Sequence, residues 1–163
     1  AINAHPRNMT DDMLRAVAAN GGVVNVNFFS RFIDPAHGRA TAAADSAIRA
    51  TNRTLREQGL PADRIAARAR AVRDSMLAAI PPTPLSVLLD HFERVARVAG
   101  VDHVGIGSDF DGVTALPVGM EDVTMLPRIV QGLLDRGFSE ADVRKMIGGN
   151  MLRVMEAAID AGG

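Results

Sequence analysis

Two aspartates stand two residues apart at the end of a glycine-spaced run, His103-Val104-Gly105-Ile106-Gly107-Ser108-Asp109-Phe110-Asp111. In an extended chain the side chains alternate, so Gly105, Gly107, Asp109 and Asp111 share one face while Val104, Ile106 and Ser108 share the other. That spacing predicts two carboxylates about 6.6 Å apart at Cα, with open space left in front of them by the glycines. A carboxylate so placed can accept and return a proton, and beside a metal-bound water the proton is the water's. The same aspartates could instead bond the backbone of the loop that follows, as turn residues do. Asp109, at the strand's mouth, is the candidate catalytic residue, and Asp111 is its lesser companion.

Arg7 lies in His5-Pro6-Arg7-Asn8, just before a helix. Its planar guanidinium suits a substrate carboxylate, which it can bind through two parallel hydrogen bonds. It is also one of 17 arginines, most of which must simply face solvent. His5, His37, His91 and His103 show no metal-pair spacing and read as structural or exposed residues. Asn25 and Asn27 share one face and read as core amides, Asn27 being near enough to reach the site. Asn150, after Gly148-Gly149, reads as a helix N-cap. The run Asp109-Phe110-Asp111-Gly112-Val113-Thr114 also has the shape of a haloacid-dehalogenase-type nucleophile motif, but the residues after Thr114 read as loop and helix and lack the further strands such a site needs. A calcium loop fails for want of its third acidic position and closing Glu.

These residues need elements to carry them. Thr10 with Asp11 and Asp12 opens a helix, Met13, Leu14, Val17 and Ala18 recur at helical spacing, and Asn20-Gly21-Gly22 ends it. Val23 to Phe29 is β-branched and aromatic and reads as a strand. From about Pro35 to Ala79 the chain is rich in alanine and arginine and reads as two helices broken at Gly59-Leu60-Pro61. The prolines of Ile80-Pro81-Pro82-Thr83-Pro84 form a stiff linker. Ser86 to Ala99 is then an amphipathic helix with Leu88, Leu89, Phe92 and Val95 inward, ended by Gly100. The second strand is the His103 to Asp109 run. Thr124 to Arg136 is helical with Pro127 in its first turn, and Ser139 with Asp142 opens one more helix. Strands that are apolar or glycine-bearing on both faces belong to a parallel sheet covered by helices, and two such strands need further company. The fold class is therefore α/β, and the order of elements suits the later portion of a TIM-like (β/α)8 barrel with a helical hairpin inserted.

Composition sets the outer limits. The 163 residues carry a net charge of -1 and are 47% hydrophobic, so no basic field recommends a nucleic acid or an anionic membrane as partner. With no cysteine, a metal would need nitrogen or oxygen ligands. No apolar run reaches the roughly 18 residues of a membrane span, and no basic-then-apolar leader opens the chain. It begins Ala1-Ile2-Asn3 without methionine, which leaves room for an upstream part. The 17 arginines against a single lysine and the 26 alanines suggest GC-rich bacterial coding, with cytoplasm and periplasm both open.

Together, "HPRNMTDDML", "GGVVNVNFF", "VDHVGIGSDFDGV", "GMEDV" and "GGNMLRVME" closely resemble the C-terminal half of the membrane dipeptidase (renal dipeptidase) family of zinc metallopeptidases, in the amidohydrolase superfamily. The resemblance covers nearly the whole chain, and residues 36–79 look like the longer insertion of bacterial members. It implies that residues 1–163 are the C-terminal part of one metallohydrolase barrel whose N-terminal part lies outside this chain. It also implies a metal-dependent dipeptidase that tolerates a D-residue at the C-terminal position. Arg7 would match the arginine that binds the substrate's terminal carboxylate. Asp109 would match the aspartate beside the metal-bridging hydroxide, which shuttles its proton toward the leaving amine. The ligands of the binuclear zinc site would lie upstream, with none in this chain. Animal members carry a tyrosine where Phe32 stands here, so no hydroxyl contact carries over. The partners implied are a dipeptide substrate and the rest of the same protein, with a homodimer open. Two rival readings stay open: a barrel hydrolase of another amide or ester, such as an N-acyl amino acid or a lactam, and a degenerate homologue that binds without catalysis.

Overall fold

The computed structural model describes residues 2–162. It is α/β and mostly helical, built around a small parallel sheet of two strands, β1 (Val24–Asn27) and β2 (Val104–Ser108). Helix α1 (Asp11–Ala19) leads into β1, and Thr10 caps it by accepting the Met13 N–H. After β1 come a one-turn helix α2 (Ser30–Ile33), the long pair α3 (Pro35–Glu57) and α4 (Ala62–Ala78), and α5 (Leu85–Ala99), which returns the chain to β2. Beyond β2 lie α6 (Leu126–Asp135), α7 (Glu140–Arg144), a wide turn over Lys145–Gly149, and α8 (Asn150–Gly162).

Parallel neighbours need a crossover, and α5 supplies its packing face. Leu88, Leu89, Phe92 and Val95 are buried as their spacing predicts. They meet Phe28, Val104, Ile129, Leu133 and Met146 in one core. Gly100, at φ 95°, ends α5 in a conformation that favours glycine, and the chain turns directly into β2. By contrast α3 buries only Ala44 and Ile48, and α4 buries nothing. The hairpin packs chiefly on itself and is tied to the rest through α2, where Arg31 pairs with Asp45 at 3.0 Å. Asp34 caps α3 by accepting the Ala36 and His37 N–H groups, and its other oxygen accepts the buried Thr83 hydroxyl at 3.0 Å. One carboxylate thus fastens the hairpin's start to the proline linker. Among the described residues no helix is long and apolar enough to cross a membrane.

Between β1 and α3 the chain makes the single turn of α2, because the Phe32 and Ile33 N–H groups find the Phe29 carbonyl. Two local expectations give way. Asn150 is not an N-cap: its own φ and ψ are helical, at -63° and -40°, and its side chain points into the core. There Nδ2 donates to the carbonyls of Val101 and Val104, at 2.7 and 2.8 Å, at the entry of β2. Carbonyls at a turn-to-strand junction have no ladder partner, so a side-chain donor satisfies them. The alternation along β2 is the second, and it bears on the site.

Candidate functional site

Strands β1 and β2 pair in register, Val24 with Val104, Asn25 with Gly105 and Val26 with Ile106, until the next pair skips a residue and Asn27 meets Ser108. Gly107 is the residue skipped. A Cβ there would lie 2.8 Å from the Val26 carbonyl oxygen, so only glycine lets β1 approach this closely. Past the bulge the backbone enters left-handed space, with φ of 49° at Ser108 and 90° at Asp109. Non-glycine residues seldom occupy that region, and where they do the cost is about 1–3 kcal/mol each, met by the surrounding structure.

Simple alternation therefore stops at Gly107, and the placement of Asp109 comes from the bulge and the left-handed pair. A turn follows at once, closed by the Gly112 N–H donating to the Asp109 carbonyl at 3.2 Å. Asp111, on the outside of that turn, is exposed. The two carboxylates are thus not the extended pair that the spacing predicts, and only Asp109 stays at the mouth of the sheet. Asp109 is half-buried, and its Oδ2 accepts a hydrogen bond from Asn27 Nδ2 at 3.0 Å. The turn is anchored from beneath: Phe110 meets the fully buried Phe28 edge-on, with centroids 5.6 Å apart, and the Phe28 N–H donates to the Ser108 carbonyl at 2.9 Å.

Arg7 reaches the same end of the sheet from the loop before α1. Its side chain is exposed and has no acidic partner among the described residues, and its guanidinium lies over the Phe32 ring at 5.6 Å from the centroid. Phe32 also packs against Phe29 and His5, at 4.9 and 4.7 Å between centroids. Asn8 holds the loop in place, donating to the carbonyls of Asn3 and Phe32. Arg7, Asn8, Asn27 and Phe32 together border a cavity of about 240 Å³, with His91 and Arg94 also in its wall. All four residues of β1 border it too, which sets it along the edge of β1 that β2 leaves unpaired.

The histidines serve structure where their contacts are seen. His103 Nδ1 meets the Gly22 carbonyl at 2.7 Å and His91 Nε2 donates to the Ile33 carbonyl at 2.9 Å. Burial pushes the His91 imidazole below its usual range, against the opposing pull of that carbonyl and of Asp90. Among the described residues no three His, Asp or Glu side chains gather closely enough to hold a metal ion. What the site offers is a carboxylate held by Asn27 and an exposed guanidinium, with Asn27 itself on the wall of the cavity that Arg7 borders. Asn27 is the site residue that sequence reading left among core amides, although its shared face with Asn25 had already placed it within reach.

Known proteins resemble the chain in sequence and in fold. The dipeptidase ataJ of Aspergillus terreus is 31% identical over 160 residues, a match covering 98% of this chain and 29% of that protein. The crystal structure of the probable dipeptidase PvdM from Pseudomonas aeruginosa superposes with a TM-score of 0.71 at 26% identity, over 93% of this chain and 41% of that one. A metallopeptidase from Rhodobacter sphaeroides, liganded with a phosphinate mimic of the dipeptide L-Ala-D-Ala, gives a TM-score of 0.64 at 24% identity, over 95% of this chain and 32% of that one. The chain thus spans less than a third of the curated relative and well under half of these solved chains. Residues 1–162 match the membrane dipeptidase family, peptidase family M19, and the chain belongs to that family.

Proposed function

We propose that this chain is the later portion of the (β/α)8 barrel of a zinc-dependent dipeptidase, with residues 36–79 as a helical insertion. The observation that carries the reading is Asp109, a half-buried carboxylate in left-handed backbone at the mouth of a parallel strand, at the same end of the sheet as Arg7, which has no acidic partner among the described residues. Catalytic groups of such barrels stand where their strands end. The unpaired edge of β1 is where a further strand would join, and the zinc pair would be held by residues outside this chain, supplying polarisation of the scissile carbonyl and activation of water.

The chain's own residues bind and move protons. Arg7 receives the substrate's terminal carboxylate through its fork, and the Phe32 ring beneath keeps the guanidinium in place while lacking a hydroxyl of its own. Held there, the scissile bond is oriented toward the mouth of β2, which converts binding into proximity. Asp109 accepts a proton from the attacking water and delivers it to the leaving amine, so that a neutral amine departs and the carboxylate is restored.

The solved relative with a phosphinate mimic of L-Ala-D-Ala recommends that dipeptide as the first substrate. The complete, metal-loaded enzyme should hydrolyse L-Ala-D-Ala and L-Ala-L-Ala, and leave N-acetyl amino acids and lactams largely untouched. Preferential cleavage of an N-acyl amino acid would move the reading to another amide hydrolase. Binding of dipeptides without any turnover, with metal confirmed in place, would move it to a non-catalytic binding protein.

A further inference from the structure

The carboxylate of Asp109 is gripped from two sides. On one, Asn27 Nδ2 donates to Oδ2 at 3.0 Å. The amide cannot be turned end for end, because Asn27 Oδ1 accepts the Phe29 N–H at 2.8 Å and a flip would set two donors and two acceptors face to face. On the other side stands Gly112, where a Cβ would fall 2.1 Å from Asp109 Oδ1. The carboxylate therefore fills the space that any larger residue at 112 would occupy. Oδ1 has no hydrogen-bond donor among the described residues, whereas Oδ2 is committed to Asn27.

We propose that Asn27 is a positioning residue for hydrolysis, forming with Gly112 a slot that commits Oδ2 of Asp109 to the amide and leaves Oδ1 as the oxygen that exchanges the proton. The inference rests on the reading of Asp109 as the proton carrier. Its physical content is orientation: a carboxylate free to rotate presents either oxygen in many directions, while one pinned at Oδ2 presents Oδ1 in a single direction. The left-handed backbone at Ser108 and Asp109 is part of the same device, because it turns the side chain back toward β1, where Asn27 waits. A loop aspartate that only braced its own turn would need neither the cross-strand amide nor a bare glycine opposite.

The test is a double-mutant cycle in the complete, metal-loaded enzyme, with metal content and Tm measured for every variant. Asn27→Ala should lower kcat about tenfold or more, the scale seen when an outer partner of a reacting group is lost, with KM changed less than about twofold. In the Asp109→Asn background the same change should cost less than about twofold, because there is no carboxylate left to orient. An Asn27 that merely supported the fold would cost the same factor in both backgrounds, and that result would overturn the proposal. Should Asn27→Ala unfold, the isosteric Asn27→Asp keeps the shape while replacing the donor with a like charge, and it should lose kcat in the same background-dependent way. A crystal structure of Asn27→Ala gives a readout apart from activity: the Asp109 carboxylate should leave its orientation, and an unchanged carboxylate would equally defeat the idea. If Asp109→Asn itself kept normal turnover, both the slot and the catalytic reading of Asp109 would fall. If Asp109→Asn were crippled and Asn27→Ala were not, the slot alone would fall.

Discussion

The Arg7 guanidinium lies over the Phe32 ring, 5.6 Å from its centroid, with no carboxylate of the described chain drawing it away. An exposed cation held over a ring stays available to an incoming carboxylate, the state a carboxylate-binding arginine needs before substrate arrives.

Replacing Arg7 by Ala in the complete enzyme should therefore weaken recognition of substrates with a free terminal carboxylate. The loss in kcat/KM should be about 1.5–3 kcal/mol, the range for a charged hydrogen bond. Dipeptide amides, which lack that group, should be affected far less. Equal losses on acid and amide substrates would reject the assigned role.

Asp109→Asn should leave fold and metal content intact while lowering kcat about 100-fold or more, since an amide cannot carry the proton. Asp111→Asn should cost much less, because Asp111 is exposed on the outside of the turn. Metal analysis of each variant separates lost proton transfer from a lost ion, and near-normal turnover by metal-replete Asp109→Asn would make the carboxylate structural.

Gly112→Ala acts on the same carboxylate from the opposite side. The added methyl meets the end of the Asp109 side chain rather than backbone, so the fold should survive. The carboxylate must move, and kcat should fall with it. A Gly112→Ala enzyme with wild-type kcat would show that the position of Oδ1 is not critical.

Much of this was legible in the sequence, for reasons that differ by element. The inward set Leu88, Leu89, Phe92 and Val95 repeats at helical spacing, and burial of a helix face is what that spacing encodes. Thr10, Ser139 and the Gly59-Leu60-Pro61 break are local signals, and each sits where its chemistry is used. The bulge at Gly107 was hidden, because it depends on β1 approaching from some eighty residues away, and a strand's own alternation contains no sign of it. Asp109 was placed at the strand's mouth by a parity argument that the bulge breaks. The left-handed turn then restored what the broken parity had lost. The pairing of Asn27 with Asp109, and the donation of Asn150 to two distant carbonyls, are likewise tertiary facts.

Asn150 gives a stability prediction independent of the site. Asn150→Ala removes the donor from two carbonyls at the entry of β2, and leaving a buried acceptor unsatisfied costs about 1–3 kcal/mol. Asn150→Asp, of the same shape, should be worse, since it faces two carbonyls with a group that only accepts. Urea unfolding of the complete protein would rank the two, and an Asp variant as stable as wild type would contradict the assignment.

His91 links the core to pH. Its imidazole is pushed down chiefly by burial, and its Nε2–H donates to the Ile33 carbonyl, so the folded protein favours the neutral ring. In the unfolded chain the ring titrates near its ordinary value of about 6.5. Below that pH the unfolded state takes up a proton that the folded state resists, so the unfolded state binds more protons and stability rises with pH. The contribution is fully present above about pH 6.5 and is lost as pH falls through that value toward the lower folded pKa. His91→Gln keeps a donor for the Ile33 carbonyl but cannot titrate. Urea unfolding from pH 8 down to pH 5 should therefore show a steeper loss of stability in the wild type than in His91→Gln. Parallel curves for the two proteins would mean that His91 does not carry the effect.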